Sequence, residues 1–286
     1  MDKKISQLTA ASTPLTGTEE LAIVQSGSTV KATAQDVADL APPTIVIAGT
    51  GLNSTLRDGT DNVASGEYST AFGTVNSATG FSSTIAGGDG NLATAGRATI
   101  VGGSANEITL NSEYSFIGGG GFNRVSSMGS AILGGFGAVT TRYGQRSWSS
   151  GTFADFGDSQ QIDLVARTKT TNAAPTTLWL DGFDDRITIA SGFALFATIS
   201  IAGIRSNGAS AAHYIRKVAI KNVGGTTSLI GTVSTIGTDV EDNAAYDVTI
   251  TADDTNDALD IKVTGVVGET IRWTAHIQGV EIKYGA

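Results

Sequence analysis

Residues 62–145 read NVASGEYSTAFGTV (62–75), NSATGFSSTIAGGDG (76–90), NLATAGRATIVGGSA (91–105), NEITLNSEYSFIGGGGF (106–122), NRVSSMGSAILGGFGA (123–138) and a degenerate VTTRYGQ (139–145). Each full unit opens on Asn and carries a small-residue strand that ends in Gly. The Asn anchors are Asn62, Asn76, Asn91, Asn106 and Asn123, at steps of 14, 15, 15 and 17 residues. A second anchor is the Gly after the strand: Gly73, Gly87, Gly102, Gly118 and Gly134. A short fixed period predicts a stacked solenoid. One unit is too short for a helix pair. It holds two short strands between Gly-containing corners, where Gly supplies the positive φ of a tight turn. The unit is therefore one coil of a β-solenoid, hydrogen-bonded to its neighbours along the axis.

Adjacent strand residues point to opposite faces. Two before the anchor Gly stand Ala71, Ile85, Ile100, Phe116 and Ile132; one before it stand Phe72, Ala86, Val101, Ile117 and Leu133. Both faces are apolar. One fills the narrow interior of the coil. The other forms an exposed apolar stripe, which marks an interface. A like copy is its simplest partner, which predicts a homo-oligomer with solenoids side by side; Phe72, Ile85, Ile100, Val101, Phe116, Ile117, Ile132 and Leu133 are the residues of the core and interface faces taken together.

The pattern Asn-x-Ala-Ser/Thr-x-Gly followed by Ser-x-Ala/Ile-x-Gly resembles the head repeats of YadA-type trimeric adhesins, which recur in bacteriophage tail fibres. The resemblance covers residues 62–144. It implies a left-handed parallel β-roll and a homotrimer.

The chain has 286 residues, 37 Gly, 4 Pro and 16% charged residues. That composition suits an all-β protein with many turns, not a disordered chain. The net charge is −9 and no basic patch stands out, which disfavours nucleic acid as a partner. There is no Cys, so disulfides and thiolate metal sites are excluded. No apolar run follows Lys3 and Lys4, and none reaches the roughly 18 residues of a membrane helix. The expectation is a chain without secretory signal, membrane insertion or adhesin anchor.

Residues 1–42 form a first unit with a strand at 21–25, a returning strand at 30–33 and a helical spacing over 34–40 stopped by Pro42-Pro43. The opening Lys4-Ile5-Ser6-Gln7-Leu8, with its hairpin and helix, resembles the N-terminal segment of many phage tail proteins. The resemblance implies a small α+β adaptor that attaches to a tail or baseplate protein. Residues 43–61 read as linker and leading cap. Residues 62–150 are the β-roll, with Trp148 as the lid of its closing cap. From residue 151 longer alternating strands begin: 160–168, 176–181, 186–190, 193–205, 212–223, 226–237, 245–252, 258–265 and 269–283. Their spacing predicts a jelly-roll-type β-sandwich over 151–286. Ile271, Trp273, Ala275 and Ile277 share one face and belong to its core. Parts of this region resemble C-terminal domains of phage tail fibres.

Catalytic patterns are sparse. His213 and His276 lie in strands with no Gly-x-Ser-x-Gly elbow. No Walker loop occurs, and Gly88-Asp89-Gly90 lacks the helix that a dinucleotide fingerprint requires. The acidic turns at 184–185, 241–242 and 253–257 offer oxygen ligands to a hard cation, but without EF-hand spacing they read as solvated loops. Adjacent Asp pairs do not predict the separated carboxylates of a glycosidase. The expectation is no enzyme and no cofactor. The chain reads as a trimeric tail fibre of the virion, assembled in the host cytoplasm and binding a host surface glycan or outer-membrane receptor. A bacterial surface adhesin and a tailspike depolymerase are the alternatives. The candidate contact residues are Trp179, Phe183, Asp184 and Asp185 at the Asp181-Gly182 turn, with Asn207, Glu241, Asp242 and Asn256 on other loops.

Overall fold

A computed structural model describes residues 20–25, 28–33, 46–57 and 61–284. It divides into two units, Met1–Ile45 and Val46–Ala286. In the first, Glu20–Gln25 and Ser28–Thr33 pair as an antiparallel hairpin, as the sequence predicts. The helix expected over 34–40 lies outside the described residues.

The second unit is all-β among its described residues. Its coils stack in parallel. One row of two-residue strands runs Val63–Ala64, Ser77–Ala78, Leu92–Ala93, Glu107–Ile108, Arg124–Val125 and Val139–Thr140. A second row runs Thr55–Arg57, Thr70–Ala71, Thr84–Ile85, Thr99–Ile100, Phe116–Ile117, Ala131–Gly135 and Arg146–Ser149. A third side is marked by bridges through Thr74, Asp89, Ser104, Gly121 and Phe136. The solenoid begins before Asn62: Thr55 already pairs with Thr70, and Val46–Ala48 covers that edge antiparallel. Each strand sends one side chain inward. Ala71, Ile85, Ile100, Ile117 and Ile132 meet Ala64, Ala78, Ala93, Ile108 and Val125, all fully buried. An interior this narrow accepts one small or branched side chain per strand.

The Asn anchors form a buried ladder. Asn76 Oδ1 accepts from the Asn91 amide N–H at 2.8 Å, Asn91 Oδ1 from Asn106 at 3.0 Å, and Asn106 Oδ1 from Asn123 at 3.1 Å. Each Nδ2 donates within its own coil and to the next: Asn91 to Gly87 O and Gly103 O, Asn106 to Gly102 O and Gly120 O, Asn123 to Gly119 O and Gly135 O. The side chain thus supplies the hydrogen bonds that the backbone at this corner lacks, which is what a buried polar group requires.

Three expectations about the repeats need correction. The conformationally demanding glycines are Gly73, Gly88, Gly103, Gly120 and Gly135, all with positive φ. In the Gly-Gly pairs the second member carries the turn, and in the run 118–121 the third does, so Gly87, Gly102, Gly118 and Gly134 are not the anchors. A Cβ on Gly88 would lie 2.1 Å from the Gly103 carbonyl oxygen, so an L side chain cannot fit. Phe116 is not the counterpart of Ile100. Phe116 pairs with Thr99, on the outer face, and Ile117 pairs with Ile100, inside. Gly118 takes the outward position that Val101 holds in the coil before, so counting back from Gly118 lands one residue early. Trp148 is no lid: it lies half exposed on the outer face, while Ser147 points inward.

The far end is closed by a strand instead. Ser159–Thr170 pairs antiparallel with Arg146–Ser149, then Ile271–Lys283, Phe193–Arg205 and Ala211–Val223 follow in the same 15-stranded sheet. A four-stranded sheet of Thr176–Thr177, Ile187–Thr188, Asp247–Asp253 and Ala258–Thr264 shares its core. Trp273 is buried there, as expected, with its indole N–H donating to Thr170 Oγ1 at 3.0 Å. The alternating burial of Phe193–Arg205 and Ile271–Lys283 follows their sequence alternation. Arg142 and Glu281, both buried, form an ion pair across the junction, and Gln160 Nε2 donates to Glu281 at 2.9 Å.

On the outer face, Trp148, Gln161, Val280, Phe196 and Ala219 stand in one cross-strand row. It continues the exposed Val101 and Leu133 of the coils. Beside it Phe196, Lys217, Ile230, Ser234 and Gln278 line an open groove of about 390 Å³.

Candidate functional site

The eight candidate contact residues fall into two groups. The first is built on the turn after Leu180. Asp181 Oδ1 accepts from the N–H groups of Phe183, Asp184 and Asp185 at 2.8, 3.1 and 3.1 Å. Arg167 donates to the Asp181 carbonyl from behind. Gly182 takes a positive φ, the conformation this turn needs. The turn pushes Phe183 into solvent, 80% exposed, beside the exposed Asp184 and Asp185. Trp179 is half-buried, with the Arg186 guanidinium 4.7 Å from its ring centroid. Arg186 pairs with Asp253 at 3.1 Å, and Asn256 donates to the same carboxylate at 2.8 Å. Asn256 therefore belongs with Trp179, although 77 residues separate them.

The second group is Asn207, Glu241 and Asp242. Asp242 accepts from the Ala211 N–H at 2.8 Å, and Glu241 from the Tyr214 hydroxyl at 2.6 Å. Asn207 caps its own turn through Ala209. Nothing among the described contacts joins this group to the first.

Burial pushes the Asp181 carboxyl up, but the backbone donors of Phe183, Asp185 and Asp184 outweigh it and hold it below the ordinary value. Asp185 moves the other way, raised by burial and by the charges of Asp181 and Asp184. The sign for Asp181 follows. A folded-state pKa below the unfolded one adds stability that is present above the ordinary value of 3.8 and disappears as pH falls through the lowered one. The Phe183–Asp185 amides should therefore lose hydrogen-exchange protection in that acid range, and Asp181→Ala should remove it at every pH. Unchanged protection in Asp181→Ala would show that the carboxylate does not hold the turn.

His276 Nε2 lies 3.0 Å from Asp163, and His213 Nε2 lies 2.9 Å from Ser200 Oγ. Both pairs sit on the exposed face of the large sheet. Among the described residues no group of three or more His, Cys, Asp or Glu is placed to hold a metal ion. Sequence reading missed a row of exposed side chains on the coils, Tyr68, Phe81, Arg97 and Tyr114. Their spacing of 13 to 17 residues was visible, but their alignment depends on corner geometry.

No protein-family model and no curated protein matches the sequence. Solved structures that are similar include the tailspike protein of Acinetobacter baumannii phage AM24, with a TM-score of 0.29 and 12% identity over 76% of this chain and 50% of that one. The tailspike of Acinetobacter phage vB_ApiP_P1 gives 0.27 and 11% over 78% and 48%. The tailspike gp49 of Acinetobacter baumannii bacteriophage Fri1, described as a capsular polysaccharide depolymerase, gives 0.27 and 8% over 79% and 43%. The chain spans about half the length of these proteins. The expectation that it is not an enzyme is corrected by this comparison, since a depolymerase stands among the similar structures.

Proposed function

We propose that the chain is a bacteriophage tail protein that adheres to polysaccharide on the host surface. The observation that supports this best is the turn at 181–186. An exposed Phe183 and the exposed carboxylates of Asp184 and Asp185 are held out by backbone hydrogen bonds to Asp181 on a rigid all-β scaffold. Rings offer stacking to the apolar face of a sugar, and carboxylates accept from its hydroxyls. The tailspike proteins above carry names of the same class of role.

Three copies assemble in this reading, with YadA-like coils side by side and Val101, Leu133, Trp148, Phe196 and Val280 covered between them. Residues 1–42 attach to the tail or baseplate, and 151–286 form a β-sandwich of jelly-roll type. Three sites then add by avidity, so weak single contacts suffice.

The test is competition. Purified chain should lower adsorption of its parent phage, and Phe183→Ala with Asp184→Asn should weaken that effect severalfold at unchanged thermal stability. Unaltered adsorption in the presence of excess wild-type chain would overturn the reading. Light scattering on the same sample checks the trimer, which a monomeric mass at micromolar concentration would remove. Sugar released from host polysaccharide assigns a depolymerase; binding without release assigns a fibre.

A further inference from the structure

The corner between the two main strand rows repeats once per coil. Its turn residue is Asn53, Tyr68, Ser82, Arg97, Tyr114, Gly129 and Gly144 in successive coils, each with φ between 52° and 66°. The register is fixed by the backbone: Ser82 N–H donates to Glu67 O, Arg97 N–H to Phe81 O and Tyr114 N–H to Gly96 O. This conformation is inexpensive for Gly and Asn and unfavourable for bulky side chains. Two coils use Gly and one uses Asn. Tyr68, Arg97 and Tyr114 stand where the fold itself asks for Gly. Strain kept in this way concentrates at sites of function.

The side chains form one continuous track. Tyr68 and Phe81 meet edge to face with centroids 5.8 Å apart. The Arg97 guanidinium lies 5.2 Å from the Phe81 ring and 5.3 Å from the Tyr114 ring. Tyr68, Phe81 and Tyr114 are 50, 43 and 62% exposed. Arg97 makes no ion pair among the described residues. Successive coils are about 4.8 Å apart, so four of them present stacking surface over roughly 15 Å along the axis.

We propose that this track binds a polysaccharide chain lying along the solenoid, with pyranose rings stacked on Tyr68, Phe81 and Tyr114 and Arg97 donating to hydroxyl or carboxylate oxygens. The proposal rests on the reading of the chain as a surface-polysaccharide binder and gives that reading a second site. A sugar polymer fits the track better than a second copy of the chain does. Its rings carry polar tips and a guanidinium, which suit a wet, hydroxyl-rich ligand. The row of Val101, Leu133, Trp148, Phe196 and Val280 on the outer sheet face is mostly apolar and suits protein packing.

The left-handed backbone makes the test clean. Tyr68→Gly with Tyr114→Gly removes two rings and relieves strain, so the folded chain should be at least as stable as the parent. Both proteins are measured against an array of immobilised bacterial capsular and O-antigen polysaccharides. The wild-type chain is expected to bind at least one of them, and the double variant to bind it roughly ten- to a hundredfold more weakly with an equal or higher melting temperature. Equal binding by the double variant overturns the track and leaves the polysaccharide reading standing. Loss of binding with a lowered melting temperature overturns the strain argument and assigns the tyrosines a structural role. A wild-type chain that binds no polysaccharide on the array overturns both.

Discussion

Asn106→Asp is expected to destabilise the solenoid by about 3–5 kcal/mol at neutral pH, as an unpaired buried charge does. Asn106 is fully buried. Its Nδ2 faces the oxygens of Asn91 Oδ1, Gly102 and Gly120 at 3.0, 3.1 and 3.0 Å. Asp places a second oxygen among those three acceptors and gives it a charge. The deficit should shrink in acid, where the carboxyl is protonated and can donate once. Asn106→Ala should cost less, about 1–3 kcal/mol, by orphaning the Asn123 N–H that Oδ1 receives. Denaturant unfolding of the three proteins between pH 4 and 7 checks this. An Asp variant as stable as the Ala variant at pH 7 would mean that the ladder is solvated and does not hold the corner.

The second large effect belongs to Arg142 and Glu281. Both side chains are nearly inaccessible, at 2% and 4%. Arg142 Nε also donates to the Thr188 carbonyl at 2.6 Å, and Gln160 links Glu281 to the Val139 N–H of the last coil. Removing either partner alone strands a buried charge, at a cost of about 3–5 kcal/mol. Replacing both with Met should recover much of that loss, because a buried pair returns little beyond its own desolvation. A double-mutant cycle with Arg142→Met and Glu281→Met measures the coupling. Additive losses would show that the pair does not act as a unit and that the junction is held by the sheet alone.

The repeat was legible because its Asn and strand residues recur within a narrow range of steps. What the Asn does was not, since its acceptors lie one coil away and only the stacking register names them. Gly-Gly pairs hid which member turns, because either composition reads the same. The phase slip at Phe116 came from the glycine run 118–121: its first member stands where Val101 stands in the coil before, so a count back from it lands one residue early. Trp148 drew attention as a large ring near an end, yet its alternation with Ser147 already placed it outside. The long C-terminal strands were found within a few residues at each end, because 193–205, 212–223 and 269–283 alternate without interruption. The candidate contacts divided because loop neighbours are set by pairing across sheets. Arg186 brings Trp179 and Asn256 together, and no spacing in the chain announces it.

The large sheet runs without a break from Val46–Ala48 to Thr226–Leu229. Its consequence is mechanical. Parallel coils hand over to antiparallel strands at Arg146–Ser149, and hydrogen bonds continue through that exchange. A pull transmitted between the coils and the last strand meets no linker that could swing or stretch. The load is shared across neighbouring strands. A lever of this kind delivers displacement at one end almost undiminished at the other, and under a pulling probe it should extend in one late rupture instead of a series of early yields.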